Sequence, residues 1–260
     1  MNTTGHHTGG YVPAFDLTGK RALISGAGRG IGLASARTLA AMGAHVTLAA
    51  RSASEISAAA DEIIRDGGSA DTLTLDVSAV ETIPAALEGR APYDILVNNA
   101  GTNRTKPFLD VPVEDFDLIM GLNVRAAYFV AQAVARGMVA AGRGGSIINM
   151  SSQMGHVGAA TRTVYCASKW AMEGMTKAMA VDLAPYGIRV NTLCPTFIET
   201  PLAGTFLSNP AFRDDVLKRI KLGRIGKVED LIGAVVFLAS DASSLMTGSS
   251  LVIDGGWTAD

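Results

Sequence analysis

A short apolar run at residues 20–25 (KRALIS) ends in the glycine-rich turn SGAGRGIG, from Ser25 to Gly32, and a helical stretch over residues 31–42 follows at once. A strand, a tight turn and a helix in immediate succession restrict the fold more than any other feature of this chain. Glycines at 26, 30 and 32 let the backbone turn sharply and come close to a phosphate, while the first helical turn offers unpaired N–H groups to the anion. Ser25, Gly26, Arg29, Gly30, Ile31 and Gly32 therefore read as a pyrophosphate cradle, or as a tight turn with no ligand. The spacing is G-x-x-x-G-x-G rather than the strict dinucleotide fingerprint.

The same alternation continues along the chain. Apolar runs at residues 44–50, 70–75, 93–97, 146–150, 187–194 and 250–253 alternate with helical patterns at 54–65, 78–87, 114–138, 165–183 and 229–239. Strand-helix alternation of this kind means parallel strands joined by right-handed crossovers, hence a doubly wound α/β sheet. With 260 residues, 48% of them hydrophobic, the chain can bury one large core. We expect residues 15–260 to form a single domain behind a flexible leader, residues 1–14, that carries His6 and His7. Residues 196–222 contain Pro201, Gly204 and Pro210 without a clean period. They read as a mobile lid of short helices over a cleft.

Charge excludes several partners. Twenty-two basic and twenty-four acidic residues give a net charge of −2, with no basic stripe for nucleic acid and no polybasic cluster for a membrane surface. Residues 1–15 hold no apolar run of a signal peptide, and the expected location is the cytoplasm. Cys166 and Cys194 form neither a disulfide framework nor a C-x-x-C metal site, so no metal is expected. Cys166 reads as a small thiol filling helix space.

Several strand ends carry chemistry. The second strand ends Ala49, Ala50, Arg51, Ser52, where an acid would accept hydrogen bonds from a free ribose 2′-hydroxyl. A guanidinium instead pairs with a 2′-phosphate, so Arg51, helped by Arg29, argues for NADP, with NAD possible. Asp76, followed by Val77, is placed to bond an adenine amino group or to cap the next helix. Asn98 and Asn99, before Ala100 and Gly101, either bridge backbones or line a site. Asn123 sits in mid-helix, as a buried distortion with a bound water or as a solvent-facing side chain. Tyr165 and Lys169 lie one turn apart on one helix face, and Ser152 ends the fifth strand; all three can face one cleft.

Taken together, SGAGRGIG, Asp76-Val77, NNAG at 98–101, Asn123, Ser152 and YCASK at 165–169 resemble the short-chain dehydrogenase/reductase family over about residues 19–257. The resemblance implies a Rossmann-type parallel sheet of about seven strands with helices on both faces, and a homotetramer. It implies Tyr165 as the proton donor or acceptor and Ser152 as the hydrogen-bond donor to the substrate oxygen. Lys169 would lower the Tyr165 pKa and hold the nicotinamide ribose, and Asn123 would anchor a relay water. Asn99, Ala100, Gly101, Pro195, Ile198 and Thr200 match cofactor-binding positions, with Thr196 standing where a glycine is common. The lid and NNAGTNR look most similar to gluconate 5-dehydrogenase-like members acting on a sugar acid or polyol. A pocket of Asn103, Arg104, Gln153, His156 and the lid is then expected, with Arg104 on a substrate carboxylate or in solvent. A 3-oxoacyl-carrier-protein reductase is the alternative, and a non-catalytic NADP-binding regulator a further one.

Overall fold

Seven strands, β1 (Arg21–Ser25), β2 (His45–Ala50), β3 (Ser69–Thr74), β4 (Ile95–Asn98), β5 (Gly145–Met150), β6 (Ile188–Pro195) and β7 (Ser250–Ile253), form one sheet in the order β3-β2-β1-β4-β5-β6-β7. Every neighbouring pair is parallel in this computed structural model, which describes residues 15–259. The expected leader lies outside the described residues. Because β2 and β3 are laid on one side of β1 and β4 to β7 on the other, the winding reverses between β1 and β4. That switch point opens a crevice at the carboxyl ends of both strands.

The helices are α1 (Gly30–Ala41), α2 (Ala53–Arg65), α3 (Ile83–Leu87), α4 (Val113–Met120), α5 (Ala127–Ala141), α6 (Thr163–Leu183), α7 (Pro201–Leu207), α8 (Pro210–Arg219) and α9 (Glu229–Ala239). Successive strand side chains point to opposite faces, so each strand feeds two cores. Ile24, Val97 and Ile148 pack with Leu39 of α1 and Val235 of α9, whereas Leu23, Leu96 and Ile147 pack with Val130, Val134 and Met138 of α5. Strands covered on both faces carry near-continuous apolar runs, which is why those runs were visible in the sequence.

Three elements differ from expectation. The helix expected over residues 114–138 is a longer helical run interrupted by a π turn, Gly121–Ala126, that holds Asn123. The whole run, Val113–Ala141, is long and apolar enough to cross a membrane, but its inner face packs in the core of the sheet. The helix expected over residues 78–87 shrinks to a 3-10 turn and the short α3, whose first turn holds Pro84, a residue with no N–H to give. β6 runs through Pro195 instead of stopping before it. The missing N–H costs the ladder nothing there, because the next amide, Thr196 N, donates to Ile253 O at 3.2 Å.

Residues 196–222 fold as short helices, as expected. Phe197 meets Phe212 edge to face and Trp257 at a tilt, with ring centres 5.6 and 5.7 Å apart, and Val216, Ile220 and Ile225 are buried in the same cluster.

Candidate active site

The glycine turn is held in shape by the end of β4. Ser25 Oγ accepts hydrogen bonds from the amides of Asn99 at 2.9 Å and Ala100 at 3.1 Å, while Asn99 Nδ2 donates to Ser25 O at 3.0 Å and Gly26 O at 3.2 Å. Glycine is required at two of these positions. Gly26 has φ +66°, and a Cβ at Gly32 would stand 2.3 Å from Gly26 O. Asn98 Nδ2 donates to Ala127 O at 2.7 Å and to Asn149 Oδ1 at 3.2 Å, and Asn149 passes the chain on to Thr176 at 2.8 Å. The paired amides therefore bridge backbones and helices, and Asn99 lines the groove as well.

α1 begins at Arg29 with no side-chain cap and no acid in its first turn. Its first N–H groups are left for an anion. Arg29, Arg51, Asp76, Val77, Ala100 and Gly101 share the walls of the groove that this helix points into. Asp76 Oδ1 accepts from the amide and hydroxyl of Ser78 at 3.0 and 2.7 Å, a local turn that caps neither the 3-10 turn nor α3. Those bonds, with Arg51 adding to them, hold its carboxyl below the usual carboxylate range. A glycine cradle that a Cβ would fill, an uncapped helix start and two guanidinium groups fit a dinucleotide. At the far end, Thr200 Oγ1 caps α7 through Ala203 N at 3.3 Å and its methyl lies over Gly30. The bridge between Ile198 and Gly226 uses the backbone of Phe197 and Glu199, which leaves that of Ile198 unused by it.

Ser152 stands just past the end of β5, and Tyr165 and Lys169 lie in the first turns of α6. Ser152 Oγ donates to Gln153 Oε1 at 2.9 Å and accepts from Met154 N at 3.2 Å. Lys169 Nζ donates to Met150 O at 2.8 Å and lies 5.5 Å from the Tyr165 ring centre. Burial pushes the Tyr165 phenol up to about 12, against a downward pull from Ser152. Burial also pushes Lys169 down to about 8, with Cys194 and Glu173 opposing it. Desolvation is the largest influence on both groups in this arrangement. Tyr165 is held in its protonated form, the form that can donate.

Asn123 is fully buried and its amide is saturated by protein. Oδ1 accepts from Thr102 N at 2.8 Å, and Nδ2 donates to Thr102 O at 2.9 Å and Ser168 Oγ at 3.0 Å. The π turn thereby clamps the loop after Gly101 to the helix that carries Tyr165.

A cavity of about 170 Å³ opens beside Ser152, Tyr165 and Lys169. Its wall holds Asn103, Ser151, Gln153, Thr196 and Pro195, and the buried polar atoms of these side chains without a partner include Asn103 Oδ1, Gln153 Nε2 and Thr196 Oγ1. Two expected residues are placed elsewhere. Arg104 lines the dinucleotide groove and not this cavity. His156 Nε2 is 3.4 Å from Cys194 Sγ and 3.8 Å from Glu173 Oε1, turned into a buried network of hydrogen bonds instead of the cavity. Phe197 and Phe206 line the cavity from the expected lid, and Arg162 lines it and was missed. The signal for Arg162 was present: it lies three residues before Tyr165, one helical turn away.

A family model described as enoyl-(acyl carrier protein) reductase matches residues 26–258. The chain is 41% identical to the L-xylulose reductase of Bos taurus over 94% of this chain and 98% of that protein. It is 40% identical to the gluconate 5-dehydrogenase of Gluconobacter oxydans, over 94% of this chain and 96% of the relative. Among solved structures, a gluconate 5-dehydrogenase from Burkholderia cenocepacia in complex with NADP and tartrate superposes with a TM-score of 0.91 at 41% identity, covering 95% of this chain and 98% of that one.

Proposed function

The chain belongs to the short-chain dehydrogenase/reductase family of NAD(P)-dependent oxidoreductases, and from that membership we propose that it interconverts a secondary alcohol and a ketone on a small polyhydroxylated substrate, with NADP preferred over NAD. The observation that carries this reading is the wall of the cavity. Side chains that line a space of about 170 Å³ carry buried polar atoms without a partner, among them an amide oxygen, an amide nitrogen and a hydroxyl. Each unpaired polar atom costs about 1–3 kcal/mol, and a substrate bearing several hydroxyl groups would satisfy several of them at once. A steroid or a long acyl chain would leave them unsatisfied and would not fit. The names of the relatives, an L-xylulose reductase and a gluconate 5-dehydrogenase, support a sugar or sugar acid. The alternative of a 3-oxoacyl-carrier-protein reductase has no such support in the cavity.

Bound nicotinamide would supply or accept the hydride. Tyr165 would donate its phenolic proton to the substrate oxygen in reduction, which its protonated state suits. Ser152 would turn its hydroxyl from Gln153 to that oxygen, freeing the Gln153 amide for the substrate. Lys169 would hold the nicotinamide ribose and restore the charge balance as Tyr165 gives up its proton. With the Asn123 amide engaged by Thr102 and Ser168, a relay water would be held by the backbone of the π turn. Arg29, Arg51 and Arg104 would face the phosphates, Asp76 the adenine, and Ile198 with Thr200 the carboxamide. Exposed Phe108, Leu109, Val113 and Phe116 beside α4, with Trp170 and Val181 on α6, support a homotetramer, and the two free cysteines suit the cytoplasm.

A turnover screen with NADP and NAD against ketoses, polyols, aldonic acids and short 3-oxoacyl thioesters tests the reading. Sugar-class turnover that falls by about a hundredfold or more in Tyr165→Phe, with NADPH binding kept, is the expected result. Preferential turnover of the thioesters would refute it.

A further inference from the structure

Arg162 stands at the N-terminal end of α6, is 6% exposed, and lines the cavity beside Tyr165. No carboxylate among the described residues is paired with it. Among the described residues, the hydrogen bonding of its side chain amounts to a long contact, 3.4 Å, from Nη1 to Ala160 O. Three phenylalanine rings of the 196–222 segment surround it instead, with Phe197 at 5.6 Å, Phe206 at 5.7 Å and Phe212 at 4.8 Å from the guanidinium carbon. Ring faces stabilise the cation, but they offer no hydrogen-bond acceptor to its five N–H donors. A guanidinium taken out of water without an anion is costly, and burial pushes the pKa of Arg162 down. The chain keeps this cation beside the reacting hydroxyls, on the wall that also carries the unpaired Gln153 and Thr196.

We propose that Arg162 is the anion anchor of the substrate pocket, so that the preferred substrate is a polyhydroxylated acid whose carboxylate pairs with the guanidinium under the Phe197, Phe206 and Phe212 cage. This rests on the reading of the pocket as a site for polyhydroxylated substrates, and it commits that reading to the acidic members of the class. A planar fork of N–H donors matches a carboxylate with two parallel bonds, which a lysine in the same place would not reproduce. The bound carboxylate would also tie α6 to the 196–222 segment, because the three rings and the cation would close over it together. Arg104, in the wall of the groove, is left to the dinucleotide.

The test compares gluconate with sorbitol, which differs from it by a neutral hydroxymethyl in place of the carboxylate. Wild-type enzyme should show kcat/KM at least tenfold higher for gluconate, and bind it at least tenfold more tightly in the binary complex with NADP, measured calorimetrically on the Tyr165→Phe background. Arg162→Gln should lower kcat/KM for gluconate by ten- to a hundredfold, mainly through KM, and change that for sorbitol by less than threefold. Arg162→Lys should recover little of the loss, since the charge returns without the fork. Equal losses on both substrates would make Arg162 a structural post for the phenylalanine cage and overturn the proposal. A wild-type preference for sorbitol, or for a hexose phosphate over gluconate, would overturn it equally, and the wild-type comparison decides the matter even if the variants fail to fold. Should wild type turn over neutral polyols and ketoses well but ignore every acid, the anchor alone fails. Turnover of no polyhydroxylated compound at all would sink the underlying reading with it.

Discussion

Lys169 is the buried group whose cost to the fold is best suited to direct measurement. The residue is 6% exposed, and its ammonium donates to Met150 O at 2.8 Å and is pushed from its ordinary 10.5 to about 8 by burial. A depressed lysine binds fewer protons in the folded than in the unfolded chain between about pH 8 and pH 10.5. Stability therefore rises with pH across that window, and below it the fold carries the full cost of a buried cation. A tenfold change in proton affinity corresponds to about 1.4 kcal/mol, so a fall from 10.5 to about 8 amounts to roughly 3 kcal/mol. Lys169→Met keeps the volume and removes the charge. Urea unfolding of the wild type and the variant at steps from pH 7 to pH 10 isolates the lysine, because every other titrating group cancels in the difference. The wild type should gain about 2–3 kcal/mol on the variant as pH rises from 8 to 10. The variant should also lose turnover and bind NADPH more weakly. A difference in stability that does not change with pH would show that Lys169 has an ordinary pKa, and would refute the claim that desolvation dominates this site.

Two further outcomes follow from the groove. Gly32→Ala places a Cβ against the backbone oxygen of Gly26, 2.3 Å away, where no side chain can yield, so it should cost about 1–3 kcal/mol in urea unfolding and abolish the fluorescence enhancement of bound NADPH. Ala50→Asp with Arg51→Leu should move the ratio of kcat/KM for NADP over NAD by at least tenfold towards NAD, through a lost phosphate partner and a new repulsion; an unchanged ratio would remove the role of Arg51.

Much of this protein is set by local sequence. Apolar runs bounded by glycine or asparagine settled the strands, because a parallel strand covered on both faces must be apolar at nearly every position. The turn from Ser25 to Gly32 was equally legible, since only glycine allows the backbone conformation at Gly26 and the close contact at Gly32. The spacing of Tyr165 and Lys169 put them on one helix face without any knowledge of the fold. What the chain could not reveal locally was which polar groups would meet across the sheet. Asn98, Asn149 and Thr176 form one chain of hydrogen bonds although they lie on β4, β5 and α6. Arg104 and Arg162 look alike in sequence, yet the path of the loop after β4 sends one to the dinucleotide groove and the start of α6 sends the other into the pocket. The titration of Tyr165 was likewise beyond spacing. Packing around α6 buries both the phenol and the ammonium, which moves both titrations, and it steers the ammonium to Met150 O. Periodicity and backbone sterics act over a few residues and are therefore written in the chain, whereas desolvation and charge pairing depend on everything that surrounds a group, which exists only once the elements have packed.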